Sequence, residues 1–163
     1  MKILVVSDTH RRDDNLHQVI DAWKPLDMLI HLGDVEGSEH IIGQWVNEGC
    51  KLAIVRGNND FFSSLEMEIE MSLGPHRMFL THGHYYNVSL GVEALHREAE
   101  ARGCDIVMYG HTHRPYLETI RGVTILNPGS LSYPRQEGRK PSYLMMEMDE
   151  KTGAVKYRHY FLG

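Results

Sequence analysis

The order of apolar and polar positions splits the chain into two stretches of different rhythm. Three segments carry apolar residues at helical spacing. Leu16, Val19, Ile20 and Trp23 follow the capping candidates Asp13 and Asp14, and Ile41, Ile42, Trp45 and Val46 follow Ser38 and stop at Gly49. The third runs from Ser89 to Arg102, with Val92, Leu95 and Ala99 inward and Gly103 at its end. Short apolar runs at residues 2–6, 27–32, 51–55, 77–80 and 105–109 stand between them. Strand, helix, strand, helix, strand in the first half predicts an α/β layer with parallel strands. After residue 115 the pattern turns antiparallel: runs at 116–120 and 123–126 flank Arg121-Gly122, and runs at 142–149 and 154–162 flank 150–153. In the last run Val155, Tyr157, His159 and Phe161 alternate with Lys156, Arg158 and Tyr160. No Pro/Gly/Ser linker separates the two stretches, so one domain over 1–163 is expected.

The five apolar runs share an ending. They empty into Ser7-Asp8-Thr9-His10, Gly33-Asp34, Arg56-Gly57-Asn58-Asn59-Asp60, Thr81-His82-Gly83-His84 and Gly110-His111-Thr112-His113. Ligands of open α/β sheets bind at the carboxyl ends of the strands, so if the runs share a sheet these residues converge on one rim. In extended chain, residues two apart point the same way. Asp8 with His10, and His111 with His113, can each grip one ion.

Composition narrows the chemistry. The chain has 163 residues, a net charge of −5 and eleven histidines, an unusual number of the commonest metal-ligating residue. Its length suits a core that folds without a disulfide. Cys50 and Cys104 each follow glycine and open an apolar run; without a CxxC partner they read as small buried hydrophobes. The absence of a basic run argues against dedicated nucleic-acid binding. No apolar run reaches the roughly 18–20 residues of a membrane span, and the first run is too short for a signal-peptide core, so a cytoplasmic location is expected.

Asp8, His10, Asp34, Asn58, His82, His111 and His113 make seven oxygen and nitrogen donors without a thiolate. That set suits manganese first, with nickel, iron or zinc as alternatives, and exceeds what one tetrahedral ion uses. Two divalent ions roughly 3.5–4 Å apart accommodate it. Two such ions beside two aspartates leave a cationic pocket suited to a small phosphate ester, whatever the net charge of the chain. His17, His40, His76, His96 and His159 read as surface or packing residues, and His31 as a structural residue within a strand.

Asp8-x-His10, Gly33-Asp34, Gly57-Asn58, His82 and Gly110-His111-x-His113, in that order, resemble the signature of the calcineurin-like metallophosphoesterase superfamily. The short length, His82-Gly83-His84 and Asn127-Pro128-Gly129-Ser130 resemble its small bacterial and archaeal phosphodiesterase branch. The resemblance implies a four-layer α/β/β/α sandwich with two facing mixed β-sheets. It implies one ion held by Asp8, His10, Asp34 and His113 and a second by Asp34, Asn58, His82 and His111. It further implies phosphodiester hydrolysis by attack of a metal-bridging hydroxide, and a homodimer or tetramer.

One position departs from the pattern. Where much of the superfamily has histidine after the asparagine ligand, this chain has Asn59, an amide that donates a hydrogen bond but cannot deliver a proton as an imidazolium does. Catalytic candidates are therefore Asn59 as a donor and His84, two residues from His82, while Asp60 loses its usual partner and defaults to stabilising the turn. Arg56 is the leading phosphate-gripping cation, ahead of Arg11, Arg12 and Arg135. Two rival readings accompany the phosphodiesterase. One is a phosphomonoesterase or nucleotide-phosphate hydrolase on the same site. The other is a non-catalytic scaffold, as in the retromer subunit of similar fold, against which the complete donor set argues.

Overall fold

Alternation along each strand determines where the layers meet. Ile3 and Val5 of β1 (Lys2–Val6) enter one core and Leu4 and Val6 another, and the same division recurs in every central strand. The computed structural model describes residues 1–163 and orders the other strands as β2 (Met28–His31), β3 (Lys51–Ile54), β4 (Glu68–Leu73), β5 (His76–Thr81) and β6 (Ile106–Met108). They are followed by β7 (Pro115–Ile120), β8 (Val123–Pro128), β9 (Ser142–Met148) and β10 (Val155–Phe161). One mixed sheet has the order β10-β9-β1-β2-β3, with β1, β2 and β3 parallel out to the β3 edge and β9 and β10 antiparallel on the other side. The other has the order β4-β5-β6-β8-β7, with a parallel centre and antiparallel margins.

Three apolar clusters fill the gaps. The largest takes Ile3, Val5 and Ile30 from the first sheet and Met78, Leu80 and Ile106 from the second, so the sheets face each other across it. A second packs the outer face of the first sheet against α1 (Asp14–Trp23) and α2 (Glu39–Ile42) through Leu4, Leu29, Leu16, Ile20 and Ile42. A third packs Phe79, Val107 and Ile125 against Leu95 and Ala99 of α3 (Glu93–Ala101). The result is the expected α/β/β/α sandwich. No helix is long and apolar enough to cross a membrane.

Several expectations are corrected. The five apolar runs do not share a sheet: β1, β2 and β3 lie in one and β5 and β6 in the other, and their carboxyl ends meet across the gap. The second helix does not reach Val46. It is one turn, and past Gly43 the amides of Gln44 and Trp45 reach back only to Ile41 and Ile42, a tightening that glycine's low helix propensity permits. The third helix starts at Glu93 because Gly91 holds φ +147°. Asp13 and Ser38 stand at the N-cap positions as expected, but neither side chain bonds the first-turn amides; the Ser38 hydroxyl donates to the Asp13 carboxylate and ties the two starts together.

His76 fastens β5 to both sheets' turns, its Nδ1 2.6 Å from Asp105 Oδ2 and its Nε2 2.6 Å from the Gly153 carbonyl. Both partners accept, so the protonated ring satisfies both. The Gly153 carbonyl and then the Asp105 carboxylate raise its pKa above 6.5. The contribution is therefore full below the unfolded value near 6.5 and is lost as pH rises through the higher folded value. Urea midpoints are expected to fall between pH 6 and 8.5 by more in the wild type than in His76→Gln; parallel pH profiles would refute the assignment.

Candidate metal centre

The carboxyl ends of β1, β2, β3, β5 and β6 deliver their polar residues to one place. The loops close up because two positions lack a Cβ. One built on Gly57 would collide with the Asp34 carboxylate, and one on Gly110 would collide with the Ser7 hydroxyl and lie 2.8 Å from Asp8 Oδ2. The backbone is bent to suit. Asp8, His10, Asp34, His111 and His113 hold φ between 47° and 68°, a left-handed conformation uncommon for residues other than glycine. Such outliers cluster where a site over-determines its backbone.

Each imidazole is aimed by what binds its other nitrogen. The Nδ1 of His113 lies 2.7 Å from the Tyr133 carbonyl, that of His82 2.6 Å from the Leu32 carbonyl and that of His10 3.1 Å from Glu36 Oε1. All three partners accept, which places the proton of a neutral ring on Nδ1 and leaves the Nε2 lone pair pointing inward. His10 Nε2 and His113 Nε2 then stand 3.3 Å apart, with Asp8 Oδ1 3.2 Å from the latter. Three lone-pair-bearing atoms so placed repel unless a proton or a metal cation lies among them.

A second such group adjoins the first. His82 Nε2 lies 3.4 Å from Asp34 Oδ2 and 3.8 Å from Asp8 Oδ1. His82 Nε2 and Asp8 Oδ1 are both buried and without a hydrogen-bond partner, a costly state in the absence of a ligand. Asp34 Oδ2 is also 3.7 Å from His10 Nε2, and so stands between the groups. Asn58 Oδ1 and His111 Nδ1 approach to 3.1 Å, and the His111 ring centroid is 5.2 Å from that of His82. The donors of Asp8, His10 and His113, and those of Asp8, Asp34 and His82, each lie within 4.8 Å of one another, as metal coordination requires. All seven donors expected from the sequence are brought together.

The electrostatics call for positive charge. Burial works to raise Asp34, yet His82 and two hydrogen bonds from Asn59 hold it well below the usual carboxylate range. Burial likewise opposes an imidazolium at His82, but the Asp8 and Asp34 carboxylates and the Leu32 carbonyl push it up to about 9. Asp8 is lowered against its own burial by His82, His113 and Ser7.

Asn59, expected as a donor to substrate, is turned the other way: its backbone N–H donates to Asp34 Oδ1 (2.8 Å) and its Nδ2 to Asp34 Oδ2 (2.9 Å). Asp60 does stabilise the turn, accepting from the N–H groups of Asp34, Gly57 and Glu36. His31, fully buried and lowered to about 4 by that burial, accepts from the Gly33 N–H and donates from Nε2 to the Thr9 hydroxyl, joining the β1 and β2 loops. Asn127 donates to the Gly110 carbonyl and the Ser130 hydroxyl to the Asp8 carbonyl, so the end of β8 braces the same rim.

His84 begins a single 3-10 turn (His84–Tyr86), its ring 5.4 Å from that of His82 and its Nδ1 buried without a partner. Arg56 is half-buried with its N–H on the Glu66 carbonyl, and it does not line the cleft beside His10 and His113. That cleft is lined instead by Arg114, Arg135 and Arg139, together with Glu36 and Tyr133. Only Arg135 among these was a sequence candidate. Arg114 could have been suspected from its place directly after His113; Glu36, Tyr133 and Arg139 carry no local signal.

Comparison with known proteins agrees with this geometry. The sequence profile of the calcineurin-like phosphoesterase superfamily domain matches residues 1–151. A protein of Bacillus subtilis described as the probable metallophosphoesterase YsnB is 28% identical over 159 residues, covering 96% of this chain and 90% of that one. A solved archaeal phosphodiesterase superimposes with a TM-score of 0.77 at 25% identity, over 99% of this chain and 100% of its own. Wild-type Vps29 of Entamoeba histolytica, solved in complex with zinc, superimposes with a TM-score of 0.77 at 22% identity over 99% of each chain, a likeness of fold.

Proposed function

The chain belongs to the calcineurin-like phosphoesterase superfamily and is a metal-dependent hydrolase of phosphoric esters; we propose that its substrates are phosphodiesters, cleaved at a centre for two divalent ions. Asp8, His10, Asp34 and His113 would hold one ion and Asp34, Asn58, His82 and His111 the other, with Asp34 shared. Manganese suits this oxygen and nitrogen set, as do nickel, iron and zinc. The observation that carries the reading is the pair of buried, partnerless atoms, Asp8 Oδ1 and His82 Nε2, 3.8 Å apart, in two adjoining groups of inward-facing donors to both of which Asp8 belongs. Bound divalent ions supply Lewis-acid polarisation of phosphoryl oxygens and a water of lowered pKa.

The chain's own groups do the positioning. Asp8 presents one oxygen inward because Ser7 and the His111 N–H occupy the other, at 2.6 and 3.0 Å. Asn59 fixes both oxygens of Asp34, which leaves its amide committed and favours esters whose leaving groups need no strong acid. His84, whose ring centroid is 5.4 Å from that of His82, would be the side chain to meet the leaving group.

Metal-stripped protein reloaded with manganese, nickel, zinc or magnesium tests the proposal. Restored hydrolysis of an aryl phosphodiester, faster than that of the aryl monoester, is the expected result. Faster monoester hydrolysis would favour the phosphomonoesterase, and no metal-dependent hydrolysis of either would favour a scaffold of the kind whose fold Vps29 shares.

A further inference from the structure

The cleft of about 730 Å³ beside His10 and His113 carries more positive charge than the catalytic centre needs. Arg114, Arg135 and Arg139 line it, and none makes an ion pair; the arginine ion pairs of the chain belong to Arg77 and Arg102. The one carboxylate on the cleft, Glu36, is engaged by His10 Nδ1. Three uncompensated guanidinium groups therefore share one wall in a chain that carries 22 acidic residues and a net charge of −5.

Their backbone positions are set by the site itself. Arg114 directly follows His113, and the Arg135 N–H donates to the His113 carbonyl at 3.0 Å. Arg139 stands in a left-handed turn, φ 43°, at the end of the same loop. Arg114 and Arg135 also line an adjoining cavity of about 720 Å³, whose other walls include Val88, Leu90, Val92 and Tyr116. The candidate metal-ligand histidines, the arginines and a cavity of mixed lining, with apolar walls and the carboxylate Glu93, thus follow one another along a single groove.

Resting on the phosphodiesterase reading, we propose that the substrate is a small phosphodiester that bears a second phosphate. The scissile phosphorus would sit at His10, His113 and their partners, the second phosphate among Arg114, Arg135 and Arg139, and the carbon skeleton toward Val88 and Tyr116. Guanidinium is apt because its planar fork binds phosphate oxygens in pairs. A single phosphate at the metal centre would leave these cations without a partner. The volumes fall within the range of small-ligand sites.

The test compares thymidine 5′-(4-nitrophenyl phosphate) with its 3′-phosphorylated counterpart on manganese-loaded protein. A preference for the latter of about tenfold in kcat/KM is expected, as for one well-made charge-assisted contact. In Arg114→Ala/Arg135→Ala the preference should collapse, and Arg135→Lys should retain part of it. Metal-free wild type should bind thymidine 3′,5′-bisphosphate by calorimetry, and the folded double variant, checked by circular dichroism, should not. Equal hydrolysis of the two probes by the wild type, or a preference that survives in the double variant, would overturn the subsite and leave the phosphodiesterase standing. Arginine-dependent bisphosphate binding without hydrolysis of either probe would uphold the subsite and overturn the phosphodiesterase.

Discussion

His82→Ala is expected to lower kcat/KM for an aryl phosphodiester by more than the roughly 10–100-fold typical of removing a group that merely orients a ligand. The same substitution should remove the part of the metal stabilisation that comes from the ion held by Asp34, Asn58, His82 and His111, and leave that of the ion held by Asp8, His10, Asp34 and His113. His82 is fully buried, its Nδ1 is fixed on the Leu32 carbonyl, and its Nε2 has no partner although two carboxylates lie within 3.8 Å. No alternative donor can swing into that position, because Gly33 and Gly57 press against the ring and the Asp34 carboxylate without room for a methyl group. An ion at about 100 times its Kd stabilises the folded state by about 2.7 kcal/mol. For a chain of this size that is a rise in Tm of roughly 5–10 °C. Manganese should produce this rise once for each ion in the wild type and in His17→Ala, whose ring stacks on Trp45 and lies 3.6 Å from Asp21 at the surface, and once only in His82→Ala. An unchanged rate together with an unchanged metal-induced shift would remove His82 from the centre. A drop in the Tm of the metal-free variant alone would not, since deleting a buried imidazole also leaves Asp8 and Asp34 facing each other without it.

The experiment matters because the convergence of the seven candidate side chains was legible in the sequence and their surroundings were not. Asp, Asn or His after an apolar run is a signal local to a few residues, repeated at five strand ends, and it survived the correction that those strands belong to two sheets. Groups that aim the donors lie far away in the chain. Tyr133 holds His113 through a carbonyl and Glu36 holds His10 through a carboxylate, and neither residue type nor neighbouring sequence marks the role. The fold shows the same limit. The central strands are buried on both faces and read as apolar runs, whereas β4 went unpredicted. Its Glu68, Glu70 and Ser72 alternate with Ile69, Met71 and Leu73, and glutamate is a poor strand former in isolation. What makes β4 a strand is an edge position on β5, with Glu68 and Glu70 paired to Arg102 and Arg77. Asp60 was legible as a turn residue, but the number of amides it would gather was not.

That number makes Asp60→Ala the second large effect. Asp60 is 3% exposed and accepts from the N–H groups of Asp34 at 2.8 Å, Gly57 at 2.6 Å and Glu36 at 2.6 Å. Alanine leaves three amides without a partner, those of Asp34 and Gly57 buried and that of Glu36 part-buried. At 1–3 kcal/mol for each orphaned group, and allowing for partial relaxation, the loss of stability should be about 3–5 kcal/mol. All three amides belong to the β2 and β3 loops, which carry Asp34 and Asn58, and Glu36 in turn holds His10. Manganese affinity should therefore fall as well, by about 10–100-fold, although Asp60 touches no ion in this arrangement. Asp60→Asn should recover part of the loss: its carbonyl oxygen can still accept from Asp34 and Gly57, while its NH2 group meets the Glu36 N–H donor to donor. The expected order of stability is wild type, then Asn, then Ala, measured by urea unfolding of metal-free protein so that lost metal binding does not enter. If Asp60→Ala costs less than about 1 kcal/mol and manganese titrates as in the wild type, the loops are held by something other than this carboxylate. If stability falls while affinity is kept, the turn is structural only and the donors are positioned independently of it.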